Sequence, residues 1–212
     1  MNRGFYDYSL YVFDLDGTLY DQPRLRMIMA ARLAAYYILH PFRIRELVLL
    51  SSFRKVKDAW TASASEEDII NEVAKQHGVS AKRVSGIVRR WIYDDPLSAL
   101  PKTADKKLID LIGRLRTKGK KVFVLSDYPT KDKLEALGVT VDAEYGPDDA
   151  RIDALKPSPK GLYVIMEDTK TAPEDILMIG DRKEKDGECA RAARVDALIL
   201  DRHVSRRHIN GI

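Results

Sequence analysis

The chain has 212 residues, 45% of them hydrophobic, with 36 Lys and Arg against 32 Asp and Glu and a formal charge of +4. That length suits one domain of ordinary size, or a medium domain carrying a small inserted one; it excludes a multi-domain array, and the near balance of charge signs excludes a disordered polyelectrolyte. A single cysteine, Cys189, excludes an internal disulfide framework and a cysteine-built zinc site, and fits a reducing compartment.

Leu10–Phe13 is a short apolar run ending in Asp14, the pattern of a buried parallel strand. Residues 20–100 lack that pattern and predict helices over 23–39, 42–58, 65–76 and 81–93. Ser63 and Glu66 stand at capping-box spacing, Gly78 closes one helix and Ser80 caps the next. This all-helical stretch reads as an insertion, with an α/β core over 1–20 and 100–212 and a helical cap over 21–99. A helix is predicted over 103–118, with Thr103 as N-cap and Gly119 closing it. A buried strand over 121–125, a short helix over 131–137 ended by Gly138, and a third strand over 139–144 follow. Ser158 and Pro159 open a helix that runs to 168. A fourth strand over 176–179, a helix over 184–193 and a fifth strand over 197–200 complete the pattern. The alternation predicts an α/β fold, an open, mostly parallel Rossmann-like sheet of five strands with right-handed crossovers. Ligands of such a sheet bind beyond the carboxyl ends of its strands, which directs attention to the polar residues after strands one, two and four.

Directly after strand one stands Asp14-Leu15-Asp16-Gly17-Thr18. Two carboxylates at i and i+2, with a glycine for a tight turn, suit Mg²⁺, a hard cation that takes one or two carboxylates plus phosphate and water. A carboxylate can also attack phosphorus covalently, and its neighbour can exchange protons with the leaving oxygen and with water. After strand two, the Ser126 hydroxyl and the adjacent backbone N–H of Asp127 could hold a phosphate oxygen. Lys156 precedes a helix N-terminus, and both features favour a dianion. After strand four, in Gly180-Asp181-Arg182-Lys183-Glu184-Lys185-Asp186, Asp181 can reach a metal and Asp186 can orient it or its waters.

In order and spacing these segments resemble the haloacid dehalogenase-like superfamily, specifically its Mg²⁺-dependent phosphatases, over residues 1–20 and 100–201. The resemblance implies Asp14 as the nucleophile of an aspartyl-phosphate and Asp16 as general acid and base. It implies Ser126, Asp127 and Lys156 around the phosphoryl group, with Asp14, the Asp16 carbonyl and Asp181 as Mg²⁺ ligands and Asp186 in support. Asp14 and Ser126 lie 112 residues apart and Ser126 and Lys156 only 30, so the cap falls between the first two segments, as in the family's C1 caps. The sequence departs from the family at Arg194, where many relatives have glycine, and at Asp127, often Asn.

The expected reaction is Mg²⁺-dependent hydrolysis of a small phosphorylated metabolite. A phosphomutase would use the same residues, and a catalytically weak member could bind a phosphorylated ligand or a protein instead. A dehalogenase would have no need of the metal that Asp16, Asp181 and Asp186 serve. His40, His77, His203 and His208 lack metal-ligand spacing and read as structural or surface residues. Cys189 reads as core, and Tyr36, Tyr37, Trp60 and Trp91 as cap packing. The basic tail over 202–208 carries no nucleic-acid motif. Within 23–60, eight basic residues face only Glu46 and Asp58. That excess reads as a solvated helix face, or as Arg24, Arg26, Arg43, Arg45 or Lys55 attracting a second charge on the substrate. Asp7 and polar aromatics stand where a signal peptide is apolar, and charges interrupt the apolar stretch 27–50. A cytoplasmic protein without a membrane span is expected.

Overall fold

A computed structural model of the chain describes residues 4–59 and 66–200. Ser63 of the expected capping box, Trp60, and the basic tail with His203 and His208 lie outside the described residues. The chain forms two compact units, residues 1–23 with 100–212, and residues 24–99.

The first unit is built on five parallel strands: β1 (Leu10–Phe13), β2 (Lys121–Leu125), β3 (Ala143–Tyr145), β4 (Ile176–Gly180) and β5 (Asp196–Ile199). They lie in the order β3-β2-β1-β4-β5. Every residue of β1 and β4 is buried, as expected where helices cover both faces of a parallel sheet. β1 is central, and the chain builds outward from it first on one side and later on the other. Their divergence opens a crevice at the strands' carboxyl ends. The register sets Phe13 level with Val124 and Ile179, so Asp14, Leu125 and Gly180 stand in one row. Ser126 and Asp181 stand one residue beyond. Tyr20 and Ala104 form an antiparallel bridge flanked by bonds from Asp21 N to the Thr103 carbonyl and from Asp105 N to the Leu19 carbonyl, both 2.8 Å. This neck ties together the chain's exit from the unit and its return.

The second unit is helical, comprising most of α1 (Gln22–Leu39), then α2 (Glu46–Ala59), α3 (Glu66–His77), α4 (Ala81–Val88) and α5 (Asp95–Ala99). In α2, Leu49, Leu50, Phe53 and Val56 recur at the spacing of one helix face and are buried. Acidic residues open α3 and Lys75 and His77 close it, in agreement with the helix dipole. Gly78 takes φ +62°, and the Ser80 hydroxyl caps α4 by accepting from Arg83 N. Two expected helices are shorter: a 3₁₀ turn over Pro41–Arg43 delays α2 to Glu46, and a π-helical turn over Arg89–Asp94 separates α4 from α5. Tyr37 and Trp91 are buried, and His77 pairs with the Ser52 hydroxyl at 2.7 Å.

Four helices flank the sheet: α6 (Lys106–Thr117), α7 (Lys131–Leu137), α8 (Lys160–Thr169) and α9 (Glu188–Ala193). Asp105, not Thr103, caps α6; it accepts from Leu108 N, whereas the buried Thr103 hydroxyl donates to the Leu100 carbonyl. The third strand begins at Ala143 rather than 139. Gly138 turns left-handed at φ +66°, Val139 N returns to the Leu134 carbonyl, and the Asp142 carboxylate accepts from Val122 N. α8 begins after Pro159, later than Ser158. A π-helical turn over Lys183–Gly187 precedes α9, and β5 starts at Asp196. Arg194 closes α9 in the left-handed region, φ +59°. No helix among the described residues is long and apolar enough to cross a membrane.

Candidate active site

Asp14 directly follows β1, with its backbone N–H bonded to the Ile179 carbonyl at 2.8 Å, so the sheet fixes its position. Its carboxylate is buried. The Thr18 hydroxyl donates to one oxygen at 2.8 Å and the Lys156 ammonium donates to the other. Gly17 provides the tight turn between them with φ +103°. Lys156 also donates to Asp186 at 2.7 Å and to the Leu125 carbonyl at 3.2 Å, joining the ends of β1 and β2 to the segment after β4. All three side chains are almost wholly removed from water.

Burial raises the Asp14 carboxyl above the usual carboxylate range; Lys156 opposes that shift and Asp186 adds to it. Burial alone would pull the Lys156 ammonium down, but the charges of Asp14 and Asp186 raise it above its ordinary value. One oxygen each from Asp14, Asp181 and Asp186 lies within 4.8 Å of the others. An all-oxygen, anionic set of this kind fits a hard divalent cation. Gly180 makes the packing possible, since a Cβ there would stand 2.4–2.5 Å from Asp186 side-chain atoms.

Asp16 lies beside this cluster in a different environment. It accepts from Ser126 Oγ at 3.2 Å, from Lys133 Nζ at 2.6 Å and from the Tyr20 hydroxyl. Ser126 Oγ in turn accepts from Tyr128 N at 3.1 Å. The Asp127 carboxylate serves another purpose. It accepts from Lys156 N at 2.9 Å and from Lys185 Nζ at 3.2 Å, and so fixes the segment that carries Lys156. What Asp127 can offer a phosphate is therefore its backbone N–H. Cys189 is core: burial pushes its thiol up to about 12, and Sγ donates to the Ser158 carbonyl.

The fold thus gathers Asp14, Lys156, Asp181 and Asp186, with Asp16 and Ser126 alongside. Sequence reasoning assigned no role to Thr18, Tyr20 or Lys133. Lys133 left no local signal, since it stands in the first turn of α7 beside Lys131 and Asp132.

The profile of the haloacid dehalogenase-like hydrolases matches residues 8–194. The sequence matches no curated protein. Among solved structures, 2-haloacid dehalogenase from Pseudomonas syringae pv. Tomato is similar at TM-score 0.68 and 15% identity, over 91% of this chain and 86% of that one. The putative HAD-hydrolase YfnB from Bacillus subtilis, bound to magnesium, is similar at 0.59 and 16%, over 91% and 88%. A HAD phosphatase from Thermococcus onnurineus is similar at 0.56 and 18%, over 94% and 89%. At such identities the likeness is one of fold.

Proposed function

The chain belongs to the haloacid dehalogenase-like hydrolases, and from that membership we propose that it is a Mg²⁺-dependent phosphomonoester hydrolase acting through an aspartyl-phosphate on Asp14. The observation that carries this reading is the trio of the buried Asp14 and Asp186 and the part-buried Asp181, with the Lys156 ammonium between Asp14 and Asp186. Dehalogenation would also need the Asp14 nucleophile but not the metal that Asp16, Asp181 and Asp186 would serve, although dehalogenases share the fold.

Asp14, Asp181 and the Asp16 carbonyl would hold Mg²⁺, with Asp186 in support; the bound ion would neutralise charge on the phosphoryl oxygens. Lys156 and Ser126 would hold the same oxygens and keep phosphorus in line with Asp14. An Asp14 oxygen forms the bond to phosphorus while the ester oxygen departs with a proton from Asp16. Asp16 then accepts a proton from the water that releases phosphate, which restores both carboxyl groups. Thr18 fixes the Asp14 carboxylate, and Tyr20, Ser126 and Lys133 fix that of Asp16.

Release of phosphate from an aryl phosphate with Mg²⁺ tests the reading, and Asp14→Asn is expected to abolish it. Turnover retained in that variant would rule out the covalent step. Phosphate label that stays on an organic product, instead of appearing as free phosphate, would move the assignment to a phosphomutase, an activity suggested for one fold relative, a putative β-phosphoglucomutase from Thermotoga maritima.

A further inference from the structure

The sheet unit carries a groove of about 820 Å³ that the reaction at Asp14 does not use. All of its lining belongs to that unit: α6 from Ile109 onward, the loop over 138–140, and Tyr6 in the 3₁₀ turn before β1. The volume is that of a small-molecule site. α6 leads into the amino end of β2, whereas Ser126 follows its carboxyl end. The groove and the reaction crevice therefore lie a strand's length apart, about 16 Å.

The walls of the groove are joined to one another. Arg116 on α6 donates to the Thr140 carbonyl at 3.2 Å and to the Asp142 carboxylate at 3.3 Å. The Lys118 ammonium stands 3.8 Å from the centre of the Tyr6 ring, a cation–π contact that ties α6 to the segment before β1. Between these ties the lining is apolar, with the buried Ile112 and Val139 and the part-buried Ile109. At Gly113 the helix adds open space, since a Cβ there would meet nothing within 4 Å.

The polar side chains follow one stripe of α6. Asp110, Gly113, Arg114, Thr117 and Lys118 recur at steps of three and four residues, and all are exposed in the groove lining. Among the described residues neither Asp110 nor Arg114 pairs with an opposite charge. Residues 114–121 contain five cations and no carboxylate. The dipole of α6 attracts cations to its last turn. It calls for neither an unpaired carboxylate one turn before Arg114 nor an apolar lining beside them.

A ligand that satisfies all three surfaces has a flat apolar part, hydroxyl donors and a phosphate. From Asp110 to Lys118 the stripe is about 12 Å long, room for a sugar and its phosphates along the helix. A bare anion would leave the apolar lining unused and would meet Asp110 as a like charge. A fatty acid would offer Asp110 no donor.

We propose that this groove is a binding site for a nucleoside phosphate, distinct from the reaction crevice. The base lies against Ile112 and Val139, the ribose hydroxyls donate to Asp110, and the phosphates meet Arg114 and Lys118. The proposal does not depend on the phosphatase reading.

Calorimetric titration of the full-length protein with ADP, in EDTA, tests it. Saturable binding is expected with a Kd below about 100 µM, and pyrophosphate and adenosine should each bind about tenfold more weakly or worse. Gly113→Phe fills the groove and Arg114→Glu/Lys118→Glu reverses its charge. Each is expected to raise the Kd for ADP about tenfold or more while thermal unfolding stays as in the parent. Should Gly113→Phe fail to fold, the charge reversal on the exposed stripe decides alone. Absence of ADP binding up to about 1 mM overturns the proposal. Undiminished binding to a folded groove variant also overturns it, by placing ADP elsewhere on the protein. Pyrophosphate that binds as tightly as ADP overturns it as well, by reducing the groove to a site for bare anions.

Discussion

Replacing Lys156 by methionine isolates the effect of one buried cation. The native ammonium bridges Asp14 and Asp186, 2.7 Å from the latter, in a site almost closed to water. Methionine keeps much of the apolar stem but leaves these carboxylates, with Asp181 beside them, without that positive charge. Removing one partner of a buried ion pair costs about 3–5 kcal/mol. With a urea slope of about 2 kcal/mol/M, the unfolding midpoint should fall by about 1.5–2.5 M. The sign of the pH dependence follows from the carboxyl groups. Burial already raises Asp14, and loss of the ammonium raises it further, so the folded state binds protons more tightly than the unfolded chain. The deficit is therefore greatest above the folded pKa and shrinks as pH falls through it. A divalent cation among the three aspartates would restore positive charge and add about 2.7 kcal/mol at about one hundred times its Kd. Urea titration followed by circular dichroism at about pH 7.5 and pH 5, with and without MgCl₂, measures each effect. An unchanged midpoint at the higher pH would refute the reasoning, as would a deficit indifferent to both pH and Mg²⁺.

Lys133→Met should lower turnover of alkyl phosphates about a hundredfold, because in the proposed mechanism their leaving oxygen needs the proton that Asp16 gives. An aryl phosphate with a good leaving group should lose much less, and Lys133→Arg should restore part of the alkyl rate; equal losses on both substrates would remove the positioning role. Gly180→Ala places a Cβ 2.4–2.5 Å from Asp186 atoms, so calorimetry should find weaker Mg²⁺ binding and denaturation a loss of about 1–3 kcal/mol. Arg194→Gly should stabilise the protein by about 1 kcal/mol by relieving a left-handed arginine, visible as a rise of a few degrees in Tm.

The sheet was readable because β1, β2 and β4 are continuous apolar runs, each ending in the polar residues that face the crevice. The third strand was less readable: Val139 looks like a strand residue, yet the left-handed turn at Gly138 keeps it bonded to α7. Thr103 looks like a helix cap, but its burial in the neck gives the hydroxyl a nearer carbonyl. Motif spacing identified the acidic residues one by one, because each sits at the end of an element with its own local signature. It could not identify what they touch. Lys133 reaches Asp16 across 117 positions, and Asp127 turns its carboxylate toward the Lys156 backbone instead of into the crevice. Pairings of this kind depend on the rotation of helices and loops, which no local pattern records.

Tyr20 belongs to two structures at once. Its backbone pairs with Ala104 in the neck, and its hydroxyl holds Asp16 four residues earlier. The carboxyl proposed to exchange protons is therefore attached to the place where the chain departs and returns. A shift of the neck would reach Asp16 through the Tyr20 side chain, against the hold of Ser126 and Lys133. In the proposed mechanism, proton transfer at Asp16 would in this way depend on the position of the neck.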